Sequence, residues 1–197
     1  GGVSNDASGK CSAILGGENN TATADYGVVL GGRNNCNTSA STTIVGGLGN
    51  SANLGASSFI GGGGGNQASA NQTVIGGGCD NAVCCNSVQS SILGGKSNRI
   101  FATSTCSVIG GGVSNCVGAS TCNVSILGGC NNSATAADST IVGGICNKAT
   151  GACSFVGGGK SNSACSTAST IGGGESNTSS CGCYGFVGGG KSNSNTG

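Results

Sequence analysis

The chain has 197 residues, of which 43 are glycine and only 7% are charged, and it contains no proline, histidine, methionine or tryptophan. Ordinary globular domains carry about 25% charged residues, so this composition excludes a conventional packed core. The net charge of +1 and the scattered basic residues argue against a nucleic-acid partner. No apolar run approaches the roughly 20 residues of a membrane-spanning helix, so we expect no membrane insertion.

One motif returns along the whole chain: two apolar residues, two or three glycines, two variable residues and then asparagine. Twelve complete copies occur, allowing one threonine in the first position, and a partial copy opens the chain at Gly1. The copies begin at Ile14, Val29, Ile44, Phe59, Val74, Ile92, Val108, Ile126, Ile141, Phe155, Thr170 and Phe186. A period near 16 residues suits one coil of a β-solenoid, whereas a helix pair or a propeller blade needs a longer repeat.

Three columns of the repeat predict how one coil is built. The second apolar position is aliphatic in every copy, from Leu15 to Val187, and the asparagine is present in all thirteen copies, from Asn5 to Asn193. We expect short strands at the apolar pair, turns at the glycines, and asparagine amides that hydrogen-bond along the axis. Small or β-branched residues two positions after most asparagines predict a thin coil.

The fold class predicted from these columns is all-β. We expect one β-solenoid or β-roll domain over residues 1–197, with about 12 coils and a length on the order of 60 Å at roughly 4.8 Å per coil. Side chains alternate between the faces of a strand, so a regular strand leaves one of the two apolar columns facing outward. That stripe exceeds the few hundred Å² of apolar surface that soluble monomers tolerate, which predicts a homo-oligomer, as a trimer or a filament. The alternative is a monomer in which a corner or bulge turns both columns into the core.

One segment shows a family pattern, in which Ala149, Gly151 and Ser154 precede the apolar Phe155. This Ala-x-Gly-x-x-Ser-apolar spacing resembles the head repeats of trimeric autotransporter adhesins, and the resemblance extends loosely over the whole chain. The Gly-Gly-Asn repeats are also similar to those of fibre proteins of phages and large viruses. The resemblance implies a left-handed β-roll assembled as a trimer. The chain departs from the adhesin pattern at Gly157, where that family usually has a second aliphatic residue.

Residues suited to catalysis are scarce. Histidine is absent, and the carboxylates, which share no well-filled column, are Asp6, Glu18, Asp25, Asp80, Asp138 and Glu175. The segment from Gly185 to Ser192 has the spacing of a phosphate-binding loop, but it is an ordinary copy of the repeat. Calcium-binding β-rolls place aspartate in every repeat, and here only Asp80 closely follows a glycine run. We therefore predict no enzyme, no catalytic residues, no cofactor and no metal site.

The fourteen cysteines leave two interpretations open. Neighbouring coils could bring Cys130 near Cys146, and Cys106 near Cys122, within the Cα separation of about 4.4 to 6.8 Å that a disulfide requires. Alternatively, the cysteines are free thiols. Zinc binding has weak support, since no paired Cys-x-x-Cys spacing occurs. Six Asn-x-Ser/Thr sequons also occur, at Asn19, Asn37, Asn71, Asn123, Asn131 and Asn177.

Two functions fit this sequence. The first is a structural or adhesive extracellular rod, such as an adhesin head, a fibre shaft or a filament subunit, on a cell or virion surface and with a host surface or glycan as partner. The second is an ice-binding β-solenoid, in which a flat column of hydroxyl groups orders water. The hydroxyl column on which the second function depends is Thr43, Ser58, Thr73, Ser91, Ser107, Ser125, Thr140, Ser154 and Ser169.

Overall fold

In the computed structural model, which describes residues 1–180 and 182–196, the chain winds into twelve stacked coils, each with two short strands. The first strands of coils 1 to 12 are β1 Ala13–Ile14, β3 Val28–Val29, β5 Thr43–Ile44, β7 Phe59–Ile60, β9 Val74–Ile75, β11 Ser91–Ile92, β13 Val108–Ile109, β15 Ser125–Ile126, β17 Thr140–Ile141, β19 Phe155–Val156, β21 Thr170–Ile171 and β23 Phe186–Val187. The second strands are β2 Thr21–Ala22, β4 Cys36–Asn37, β6 Ser51–Ala52, β8 Gln67–Ala68, β10 Ala82–Val83, β12 Arg99–Ile100, β14 Cys116–Val117, β16 Ser133–Ala134, β18 Lys148–Ala149, β20 Ser163–Ala164, β22 Thr178–Ser179 and β24 Ser194–Asn195.

The strands form two parallel sheets of twelve strands each, one from all first strands and one from all second strands. Equivalent residues pair from coil to coil, as Ile14 does with Val29 and Val29 with Ile44. The described residues form no helix, so no helix among them could cross a membrane. The predicted all-β solenoid of about twelve coils is therefore confirmed.

The core is a narrow layer between the two sheets. The first strand of each coil supplies one Ile or Val, fully buried in coils 2 to 11, and the second strand supplies a smaller residue such as Ala22 or Ala134. Val83, Ile100 and Val117 replace alanine in coils 5 to 7. The interior of small residues predicted from the positions after each asparagine is thus confirmed, with larger inward residues in the three middle coils.

A ladder of asparagines closes the corner between the two sheets. In coil 1, Asn20 Nδ2 donates to Gly16 O at 3.2 Å and to Gly32 O in the next coil at 2.8 Å. Its Oδ1 accepts from the backbone N–H and the side-chain Nδ2 of Asn35, at 3.0 and 3.1 Å. Similar contacts recur coil after coil as far as Asn193, which confirms the predicted ladder. Each buried amide satisfies backbone groups that would otherwise lie unpaired away from water.

Candidate functional site: an apolar outer face

Two outward positions flank the buried aliphatic residue of each first strand. We call the residue just before it the leading position and the residue just after it the trailing position. In coil 3 these are Thr43 and Val45, on either side of the buried Ile44. The backbone N–H groups of both donate to the next coil, to Ser58 O and Ile60 O, at 3.0 Å each. The two positions therefore lie on one regular surface, the outer face of the first sheet.

Nearly every coil places one bulky apolar side chain on this face. Six coils carry it at the trailing position, as Leu15, Leu30, Val45, Leu93, Leu127 and Val142. Five coils carry it at the leading position, as Phe59, Val74, Val108, Phe155 and Phe186. Most of these side chains are well exposed, from 37% for Phe155 to 68% for Phe186. The result is an apolar stripe along the rod, with a gap at coil 11.

Glycine occupies the trailing position in all five coils that carry their one bulky residue at the leading position. In coil 4, a Cβ added to Gly61 would lie 3.4 Å from Cε1 of Phe59 and would collide with the carbonyl oxygen of Gly76. The ring of Phe59 therefore lies close to the backbone of Gly61, where a side chain would crowd it. Two coils break the rule of one bulky residue: coil 2 has both Val28 and Leu30, and coil 11 has Thr170 followed by glycine.

The face carries no charge, since none of its leading or trailing positions in the twelve coils is Asp, Glu, Lys or Arg. Charged residues lie on other surfaces, including a ladder of single β-bridges beyond the glycines that contains Glu175 and Lys191. Lys191 Nζ lies 3.1 Å from Glu175 Oε2, and this hydrogen bond lowers the pKa of the Glu175 carboxyl. Depletion of charge is typical of the centre of a protein interface rather than of a free surface.

The repeat alignment derived from the sequence was wrong in its register. It placed Leu15 and Ile60 in one column, but Leu15 points outward and Ile60 is buried. The glycine treated as optional is a trailing residue, so the buried aliphatic always lies six positions before the asparagine. The expectation that one residue of each apolar pair faces outward is nevertheless confirmed in all copies except that of coil 11, where the outward residue is Thr170. The alternative in which both enter the core is wrong.

The column of Ser and Thr residues proposed for ice binding does not lie on one surface. Four of its members, Thr43, Ser91, Ser125 and Thr140, are half-buried at leading positions of the apolar face. The others, Ser58, Thr73, Ser107, Ser154 and Ser169, are buried inside the coil. This column therefore does not form the flat outward array of hydroxyl groups that an ice-binding surface needs.

The thirteen cysteines in the described part of the chain are all free thiols, and Cys181 lies outside it. Neither candidate disulfide is formed, so the structure agrees with the free-thiol interpretation. Cys130 pairs with Ile145 in the next coil rather than with Cys146, and Cys122 pairs with Thr105 rather than with Cys106. The thiols are thus offset by one residue, and their side chains leave the backbone in different directions.

Two thiols have shifted acidity. A hydrogen bond from Cys79 Sγ to Asp80 Oδ2, at 3.2 Å, raises the pKa of the Cys79 thiol. Burial raises the pKa of Cys84. Both shifts disfavour the thiolate, which is the nucleophilic and metal-binding form. Across residues 1–180 and 182–196, no three His, Cys, Asp or Glu side chains lie close enough together to hold a metal ion.

The six sequons differ in accessibility. Asn37 and Asn177 are fully buried, and Asn177 belongs to the asparagine ladder. The remaining four, Asn19, Asn71, Asn123 and Asn131, are exposed. Only these four can carry a modification in the folded protein.

Comparison with protein-family models gives no match for this chain, and comparison with curated protein sequences gives none either.

Proposed function

We propose that the chain is a structural or adhesive rod that associates with other copies of itself through its apolar outer face. The observation that carries this proposal is the charge-free stripe of bulky apolar side chains along the first sheet. A stripe of this extent supports an interaction site, because contiguous apolar patches of several hundred Å² on soluble proteins often have a binding function.

The composition of the other surfaces supports a structural or adhesive role rather than a catalytic one. The six carboxylates are spread over several surfaces, and histidine, the commonest general base, is absent. The outer positions of the second sheet carry small polar residues in many coils, such as Thr21, Ser51, Ser133 and Thr178. A flat polar face of this kind fits contact with a hydrated surface such as a glycan.

A rod of this kind belongs at an exterior surface, and we propose a cell surface, a virion surface or an extracellular filament as its location. The repeats that resemble adhesin heads and viral fibres support this location.

Light scattering on the purified chain tests self-association. We expect a particle heavier than the 18.3 kDa chain at low micromolar concentration. Replacing Leu93 and Leu127 together with lysine should return the mass to that of one chain, because two charges on the face would be buried without partners. The matched control is Ser133→Lys on the outer side of the second sheet, which should leave the mass unchanged. A single-chain mass for the unsubstituted protein would overturn the proposal.

A further inference from the structure

The order of the two coil types along the rod follows a simple rule. Coils 1, 2, 3, 6, 8 and 9 carry their bulky residue at the trailing position, and the other six coils carry glycine there. Counted from opposite ends, the two types are complementary: wherever coil n is of one type, coil 13 − n is of the other. All six such pairs, from coils 1 and 12 to coils 6 and 7, obey this rule.

We infer that two copies of this chain pair antiparallel, face to face, about a two-fold axis between coils 6 and 7. This inference rests on the proposed self-association and adds its partner, orientation and register. In such a pair, coil n of one chain faces coil 13 − n of the other. Trailing positions face trailing positions, so each bulky trailing side chain lies opposite a glycine of the partner chain.

The two exceptional coils support the same register. Coil 2, which has both Val28 and Leu30, faces coil 11, which has Thr170 and Gly172 and no bulky apolar residue. Every facing pair of coils then contributes two bulky apolar side chains. In a parallel pair each coil would face its own copy, so coil 2 would bring four bulky side chains together and coil 11 would leave a gap. Overpacking and cavities both destabilise an interface.

The area of the face suits a pair of rods. Twelve coils at about 4.8 Å each give a stripe about 53 Å long between the first and last strands. With a width of about 10 Å, the pair buries on the order of 1,000 Å² in total, which is at the lower limit for a specific protein interface. A second copy has the same spacing between coils, so it can match the stripe in all twelve.

Photo-crosslinking tests the register directly. Benzoylphenylalanine replaces Val45, a trailing residue of coil 3 that is 39% exposed. An equal mixture of ¹⁴N and ¹⁵N protein distinguishes crosslinks between chains from those within one chain. The expected product joins the substituted residue to the tryptic peptide 149–160, which contains coil 10 and lies between Lys148 and Lys160. The same probe at Ser133, on the other sheet, should give no crosslink between chains.

The possible results separate this inference from the proposal beneath it. A crosslink between the two copies of coil 3 would show a parallel assembly, which would overturn the antiparallel register and leave self-association standing. The absence of any crosslink between chains from Val45 would contradict both.

Compensating charges give a second test of the same register. Val45→Glu alone should convert the pair to single chains. Adding Phe155→Lys in the same chain should restore the mass of the pair, because coils 3 and 10 lie opposite each other and the two charges become neighbours. The control combination of Val45→Glu with Phe186→Lys should not restore it, since coil 12 faces coil 1. The register would be overturned if Phe186→Lys restored the mass of the pair. It would also be overturned if neither lysine restored it.

Discussion

Coils 5 to 7 differ from the short coils on both sides of them, and the difference shows how the width of a coil is set. Seventeen residues separate Ile75 from Ile92, whereas fifteen separate Val29 from Ile44. The extra residues all lie between the second strand and the next first strand. The same three coils replace the inward alanine of the second strand with Val83, Ile100 or Val117. We infer that the longer connection gives the coil the room that the larger inward side chain needs.

The other half of the coil does not vary. Six residues always lead from the buried aliphatic to the asparagine, and the glycine three positions before the asparagine always has positive φ. The ladder therefore holds long and short coils in one stack, because it uses only this constant half. The variable half can change length at little cost, as expected for surface connections.

The largest effect is expected in the constant half, at Gly95. This glycine has φ +89, and an added Cβ would collide with the carbonyl oxygen of Gly112 in the next coil. We expect Gly95→Ala to cost more than about 5 kcal/mol, an exceptional loss for one substitution, and to prevent folding. Gly94→Ala is the control, since a Cβ there meets no atom within 4 Å. Circular dichroism should show folded protein for Gly94→Ala alone. A folded Gly95→Ala would show that the constant half is not rigid.

The next largest effect is expected at Ile100, whose side chain occupies the interior of a long coil. This side chain is fully buried in coil 6, and Ile100→Ala would leave a cavity where short coils have closely packed walls. We expect a loss of about 3 to 4 kcal/mol in the free energy of unfolding, measured by urea denaturation at one protein concentration. A loss below about 1 kcal/mol would mean that the long coils can collapse to the width of the short ones.

The ladder should matter equally in both kinds of coil. Asn115 lies in a long coil and Asn147 in a short one, and each Nδ2 donates to two glycine carbonyls at 2.9 to 3.0 Å. Replacing either with alanine removes the partner of one glycine carbonyl in the same coil and of the backbone N–H of the next asparagine in the ladder, so we expect each to cost about 2 to 3 kcal/mol in urea denaturation. A clear difference between the two losses would show that coil width alters the ladder.

The smallest effect is expected from enlarging a short coil. Ala134 occupies, in coil 8, the place that Ile100 fills in coil 6, and it is fully buried. We expect Ala134→Ile to destabilise the fold by about 1 to 2 kcal/mol through overpacking. Adding two residues beside Ala136, to match the long connections, should relieve most of that loss. If the insertion instead adds to the loss, connection length and inward side chain are not coupled.

The sequence was sufficient to predict the solenoid, because a motif that recurs at nearly constant spacing can be satisfied only by stacking equivalent residues. The ladder followed for the same reason, since one residue type fills its column from Asn5 to Asn193. The register of the apolar pair did not follow from residue types. Leu15 and Ile60 are equally apolar, and only their different distances from Asn20 and Asn66 distinguish an outward residue from a buried one.

The existence of an outward apolar stripe was predictable from the sequence, but the alternation of its residues between leading and trailing positions was not. Strand alternation required outward aliphatic residues, but the choice between leading and trailing positions becomes visible only after the buried column is assigned. The disulfides failed for a related reason. Cys130 and Cys146 differ by one position between coils, and this offset separates side chains whose backbones are hydrogen-bonded at 2.9 Å.

Small-angle X-ray scattering of the purified chain tests the central claim most directly, since one measurement gives both mass and longest dimension. A side-by-side pair predicts twice the 18.3 kDa mass of the chain, with a longest dimension on the order of 60 Å, as for a single twelve-coil rod. A particle with the mass of one chain, or a pair about twice as long as one rod, would contradict association through the apolar face.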